Sequence, residues 1–120
     1  MSWKVDFQED FALEFEQFRL DVQSEIFALA ALLEQFGPAL KRPHCDTLKS
    51  SKYTNMKELR FSLHDGEWRI AFAFDPERSA ILLVGGSKSG VPEARFYRTL
   101  IHIADKRFGN HVERLGKDVT

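Results

Sequence analysis

Cysteine is nearly missing from this chain, with one thiol, Cys45, among 120 residues. A lone thiol closes no internal disulfide, and Cys45 and the four histidines do not fall at the paired spacings of a structural zinc site. The expectation is a metal-free fold in a reducing compartment. Long apolar runs are missing too, since none approaches the roughly 20 residues that cross a bilayer. The opening Met-Ser-Trp-Lys-Val-Asp has neither the charged start nor the apolar stretch of a secretory signal. These absences exclude a membrane span and point to a cytoplasmic protein. Nothing suggests a small-molecule cofactor.

Net charge is also scarce, at -1, which argues against a generic nucleic-acid binder, yet the charges are unevenly placed. Residues 1 to 36 hold two basic and eight acidic side chains, for -6, and the remainder holds fifteen basic and ten acidic, for +5. The basic part can face phosphates while the acidic part faces away, or the charge can simply be solvated surface. A length of 120 residues fits one domain, residues 1 to 120, large enough for an ordinary core.

What is present is clear periodicity. Trp3, Val5 and Phe7 alternate with polar neighbours, as in a strand with one buried face. From Phe11 the apolar residues Phe15, Phe18, Val22, Ile26, Leu29, Leu33 and Phe36 recur every three or four positions up to Gly37-Pro38, which fits one long helix or two in tandem; two is the preferred reading, with Asp21 as cap of the second. An aromatic stripe at this spacing is core. Residues 39 to 54 show neither period and carry four basic groups, predicting a surface loop.

Asn55 to Asp75 reads as a hairpin around Asp65-Gly66, a pair suited to a tight turn. That loop sets Leu63 against Trp68, Phe61 against Ile70 and Leu59 against Phe72, so the apolar residues share one face. The other face then carries Glu58, Arg60 and Ser62 beside Arg69, Ala71 and Ala73, with Arg60 opposite Ala71 and Arg69 its diagonal neighbour. Ala80 to Val84 is apolar throughout, as in a strand buried on both faces. Gly85-Gly86-Ser87-Lys88-Ser89-Gly90 lacks Walker spacing and reads as a flexible turn that positions Lys88. Helical spacing resumes at Phe96, Leu100, Ile103, Ala104 and Phe108, before a polar tail. The expected architecture is α+β. It has a twisted, mostly antiparallel sheet of about four strands, N-terminal helices on one face and a short C-terminal helix, with the face bearing the arginines left open.

This order, with the stretches Thr47-Leu-Lys, Asn55-Met-Lys-Glu-Leu-Arg60, Trp68-Arg69-Ile-Ala-Phe-Ala-Phe-Asp-Pro76, Ala80-Ile-Leu-Leu-Val84 and Arg95-Phe-Tyr97, resembles the RelE/ParE toxins. The likeness is to their HigB-like, phage-derived Gp49-like branch and runs over nearly the whole chain. The resemblance implies a type II toxin-antitoxin toxin, an mRNA interferase acting at the ribosome, with a cognate antitoxin, often of helix-turn-helix type, as partner. It matches Arg69 to the strand arginine beside the scissile phosphate, Lys88 to the basic position after the last strand, and Tyr97 to the aromatic near the end. Arg60 falls on an often basic strand position, and Glu58 stands where some relatives have lysine.

Metal-free RNA cleavage needs a base for the 2′-hydroxyl, cations for the phosphorane and an acid for the leaving oxygen. Arg60, Arg69 and Lys88 supply charge, and Arg69, always protonated, suits stabilisation or else a surface ion pair with Glu58 or Glu67. Glu58, Lys88, His64 and His102 compete as base, and Tyr97 is a stacking residue or part of the core. Lys49, Lys52, Lys57 and Arg95 are candidate RNA contacts, with Lys57 turned toward the helix-covered face. Two other readings stay open: a ParE-like inhibitor of a protein such as DNA gyrase, and a nucleic-acid-binding regulator without chemistry.

Overall fold

The computed structural model describes residues 2–118, and its elements follow the periodicities closely. Strand β1 is Lys4–Phe7, followed by helices α1 (Glu9–Glu16) and α2 (Leu20–Phe36). Gln8 caps α1 by accepting from the Phe11 amide at 3.0 Å. Asp21 is not the cap of α2. Arg19 holds that position without a side-chain cap, and Asp21 sits in the first turn, accepting from the Val22 amide at 2.8 Å. Gln23 donates to the carbonyls of Phe15 and Phe18, supplying partners near the end of α1 and locking the two helices together. Gly37, at φ 55, ends α2, and a Cβ there would run into the Trp3 indole.

Residues 39 to 54 are more than a loop. A 3₁₀ turn (Gly37–Ala39) leads to the short strand β2 (Cys45–Thr47), with Leu40, Cys45 and Leu48 buried. β2 pairs antiparallel with Lys57 to Leu59, because three isolated apolar residues suffice to anchor a segment too short to show a period. Strands β3 (Met56–Leu63), β4 (Gly66–Phe74) and β5 (Ser79–Ser87) form an antiparallel meander, and β1 joins β5 in parallel. The sheet has five strands in the order β1-β5-β4-β3-β2, one more than expected.

The hairpin loop is His64-Asp65, not Asp65-Gly66. Leu63 faces Gly66, Phe61 faces Trp68, Leu59 faces Ile70 and Arg60 faces Arg69. The slip from the expected register is two residues, and an even slip leaves every side chain on its expected face. Gly66 joins the strand at φ 131 and lies so close to Ser89 that a Cβ would collide with its hydroxyl.

β5 carries a bulge: Ala71 faces Val84, whereas Phe72 faces Leu82. The extra residue, Leu83, re-phases the strand, so that Ile81, Leu83 and Val84 all join one core cluster while Ala80 and Leu82 join the other. The glycine stretch is not a free turn, since Gly85, Gly86 and Ser87 continue β5 and Gly86 lies opposite Arg69.

The last helix, α3 (Glu93–Asp118), has 26 residues and is neither short nor frayed within the described residues. Its Phe96, Leu100, Ala104 and Phe108 pack on Ala71, Ala73, Ile81 and Leu83. The face expected to stay open is therefore largely covered. Arg107 fastens α3 across the layers, donating to Glu14 at 2.8 Å and to the Leu83 carbonyl at 2.8 Å. Farther along, His111 meets the buried Asp75 at 2.8 Å. Among the described residues no helix is long and apolar enough to cross a membrane.

Candidate RNA site

Arg60 and Arg69 stand directly opposite on β3 and β4. The Arg60 amide donates outward to the His44 carbonyl at 2.9 Å, so the pair is of the kind not hydrogen-bonded to each other, where Cα atoms lie about 4.5 Å apart. Two cations so placed repel unless a carboxylate intervenes. Glu58, two residues along the same face, supplies it. Its Oε2 lies 2.7 Å from Arg60 Nη1 and its Oε1 3.7 Å from Arg69 Nε. Glu58 is 3% exposed and Arg69 4%, so the arginine is no surface group.

α3 closes the site from above. Arg69 Nε donates to the Tyr97 hydroxyl at 3.1 Å, and Nη1 donates to the Trp68 carbonyl at 2.9 Å. Burial pushes the Tyr97 hydroxyl above its ordinary pKa, with the neighbouring Glu58 carboxylate adding to the effect. Lys88 follows β5. Its backbone amide donates to the Glu67 carbonyl at 2.8 Å, and its ammonium lies 5.4 Å from the Tyr97 ring centre and 2.8 Å from Glu93 Oε1. The five residues expected to do chemistry, Glu58, Arg60, Arg69, Lys88 and Tyr97, thus meet in one contact chain. Tyr97 is half-buried and bonded to Arg69, and it is not a pure core residue.

Two further acids complete the cluster: Glu67, which the sequence already offers as an ion-pair partner of Arg69, and Glu93, which sequence reasoning missed. Glu67 Oε2 lies 3.8 Å from Arg69 Nη1 and accepts from the Ser62 hydroxyl, a bond that holds its carboxyl below the ordinary value. Glu93 is held low in the same way by Lys88. Three cations (Arg60, Arg69, Lys88) meet three carboxylates (Glu58, Glu67, Glu93), so the cluster is formally neutral. No local signal betrays Glu93, because its role depends on where α3 starts over the sheet.

The expected RNA contacts scatter. Lys49 and Lys52 are exposed on the segment tied to α3 through Asp105, which accepts from the Lys52 amide at 3.2 Å. Ser50 of that segment and Tyr97, Arg98 and His102 of α3 border a hollow of about 550 Å³. Lys57 shares the other sheet face with Cys45, whose thiol it influences. Arg95 borders a separate hollow with Val91, Phe96 and Gly86. His64 sits exposed in the hairpin loop and His102 is exposed on α3.

A further groove of about 550 Å³ rounds the edge of β3 and is bordered by both Arg60 and Arg69. The cluster therefore has an opening on each flank, one beside Tyr97 and one beside the arginines.

Residues 13–109 match the family described as phage derived protein Gp49-like. The chain belongs to this family. Two Mycobacterium tuberculosis (strain ATCC 25618 / H37Rv) relatives, assigned as toxins HigB2 and HigB3, are each 46% identical to this Gp49-like chain, over 88 and 90 residues. The matched stretches are 72% and 75% of this chain, 43% of HigB2 and 76% of HigB3, so the chain spans less than half of HigB2. The fold is that of E. coli toxin RelE. An arginine double mutant of RelE in the free state gives a TM-score of 0.52 at 15% identity, covering 84% of this chain and 95% of RelE. The isolated RelE toxin gives 0.50 at 12%, covering 82% and 96%. The Gp49-like match takes in β3, β4, β5 and the α3 residues of the charged cluster.

Proposed function

We propose that the chain is the toxin of a type II toxin-antitoxin module and acts as a ribosome-dependent endoribonuclease on messenger RNA. The observation that carries this reading is the convergence of Glu58, Arg60, Arg69 and Tyr97 in one cluster whose two arginines border a groove of about 550 Å³, large enough for a nucleotide. The relatives assigned as toxins supply the biological setting and imply a cognate antitoxin as partner; its helix-turn-helix type is part of this proposal.

The chemistry follows from the groups present. The 2′-oxygen attacks the adjacent phosphorus and the bond from phosphorus to the 5′-oxygen breaks, leaving a cyclic phosphate and a free 5′-hydroxyl. Glu58 takes the 2′-hydroxyl proton, since its buried Oε1 has no hydrogen-bond partner and is an acceptor in waiting. Tyr97 gives the proton to the leaving oxygen, because burial keeps its hydroxyl protonated. Arg60 and Arg69 hold the equatorial phosphate oxygens as permanently charged forks. Lys88 adds a third cation. The arriving phosphate takes the place of Glu67 and Glu93, whose side chains are 52% and 71% exposed and free to swing into water.

The test adds the purified chain, or Arg69→Ala, to a translation complex programmed with a defined message, and new 5′ ends are mapped with and without ribosomes. Cleavage should require ribosomes and fall by about 10²- to 10³-fold in the variant. An intact message in the presence of folded wild-type protein overturns the reading.

A further inference from the structure

The groove at the edge of β3 has features that the cleavage chemistry does not use. β2 pairs with β3 only through Cys45 to Thr47, so beyond Arg60 the strand edge has no neighbouring strand among the described residues. α2 overhangs this edge with Glu25, Ala28, Leu29 and Leu32, Phe61 forms part of the floor, and Arg42, Pro43 and His44 form the outer wall. The floor is stiff, because Phe61 is 9% exposed and stacks on Trp68 at 5.9 Å and an interplanar angle of 7°. His44 is fixed beside the arginine pair through its carbonyl, which accepts from the Arg60 amide.

Two polar groups on these walls have no partner. The Glu25 carboxylate, half-buried on α2, has neither a hydrogen bond nor an ion pair, and the exposed His44 imidazole likewise has none, among the described residues. An apolar slot with one unpaired carboxylate and one unpaired imidazole, opening from a pair of phosphate-binding cations, has the chemistry of a base pocket. Carboxylates accept from exocyclic amines, and unstacked bases are read on their hydrogen-bonding edges.

We propose that this groove reads a base: the nucleotide next to the phosphate held by Arg60 and Arg69 lays its base against Phe61, Leu29 and Leu32, and Glu25 accepts from its exocyclic amine. His44 closes the outer wall. Adenine, cytosine and guanine offer such an amine, whereas uracil turns a carbonyl toward Glu25 and is disfavoured. The inference rests on the RNA reading of the cluster and assigns part of its sequence preference to α2, an element outside that cluster.

The test uses RNA that cannot be cleaved, a fully 2′-O-methylated tetraadenylate and the matching tetrauridylate, titrated into isotope-labelled protein while backbone amides are followed by NMR. Tetraadenylate should shift the amides of Ala28, His44 and Ser62 together with those of Arg60 and Arg69, and should bind about tenfold tighter than tetrauridylate. Glu25→Gln should erase that preference while leaving the shifts at Arg60. Shifts confined to Arg60, Arg69 and Tyr97, or a preference unchanged in Glu25→Gln, overturn the base-reading role and leave the RNA reading standing. No shift from either oligonucleotide at millimolar concentration removes the RNA reading and the inference together. Groove shifts in a protein that cuts no message keep the subsite and refute only the cleavage.

Discussion

Glu93 is the residue whose removal separates a poised cation from a spent one. Its carboxylate takes up Lys88 at 2.8 Å, so Glu93→Gln frees an ammonium beside Tyr97 without touching the arginine pair. RNA should then bind several-fold tighter, with a steeper loss of affinity as salt rises, which fluorescence anisotropy at two salt concentrations reads directly. Identical affinities at both salts would show that Lys88 does not reach phosphate. Cys45 offers a second check at this scale. It is 2% exposed and burial pushes its thiol up to about 11, so the thiolate that reacts with disulfide reagents is scarce in the native state. Labelling at pH 8 should be slow and should accelerate on adding urea. Prompt stoichiometric labelling of native protein would contradict the burial of β2.

At the scale of elements, the glycine at the hairpin does more than the turn residues do. Gly66→Ala puts a methyl at φ 131 against the Ser89 hydroxyl and should cost about 1–3 kcal/mol, measured as a lowered urea midpoint with unchanged slope. Phe108→Ala, on the buried side of α3 against Tyr53 at 5.0 Å, should cost about 3–5 kcal/mol. Leu13→Ala, at 65% exposure, should stay within about 0.5 kcal/mol. Equal losses for Phe108 and Leu13 would mean that α3 is not part of the folded core.

What could be read from the sequence divides along the same lines. The amphipathic helices and the face assignment of β3 and β4 were legible, because apolar period fixes which side of an element is buried. The hairpin register was not, since turn chemistry at Asp65-Gly66 is local and an alternative slipped by an even number hides the same residues. β2 was invisible because three residues show no period. α3 was underestimated because its later turns combine Arg107, His111 and other polar groups that bond across layers. Of the candidate site, Glu58, Arg60 and Arg69 followed from strand parity. Glu67, two residues from Arg69 on β4, follows from the same parity, whereas Glu93 and the groove under Glu25 depend on how separate layers overlap, which no single stretch encodes.

Over the whole molecule, the charge asymmetry becomes spatial. The acidic first 36 residues form the edge strand β1 and the helices α1 and α2 that pack on one face of the sheet, and the arginine pair lies on the opposite face under α3. Several carboxyls tie distant elements together. Asp65 receives Arg19 at 2.8 Å, and with Glu67 and Glu93 it is held below its ordinary pKa mainly by side-chain hydrogen bonds. A depressed folded pKa means that the unfolded chain binds more protons at low pH. The stabilisation is therefore full above the ordinary carboxylate range of about 4 and fades as pH falls through the lower folded values. The urea midpoint should hold steady from neutral pH to about 5 and drop below about 4, and Asp65→Asn should flatten part of that drop. An acid response identical in Asp65→Asn would assign the drop to other groups.

The parallel pairing of Val5 with Ala80 has a consequence for the timing of synthesis. Among the described residues β1 has no partner strand until β5 has emerged, and the cluster around Arg69 is not sealed until Tyr97 and the α3 residues behind it have followed. Neither half of the sheet can finish alone. A nascent chain of this topology leaves the cluster around Arg69 open until both β5 and the first turns of α3 have been made, so the groups that meet there come together only late in folding.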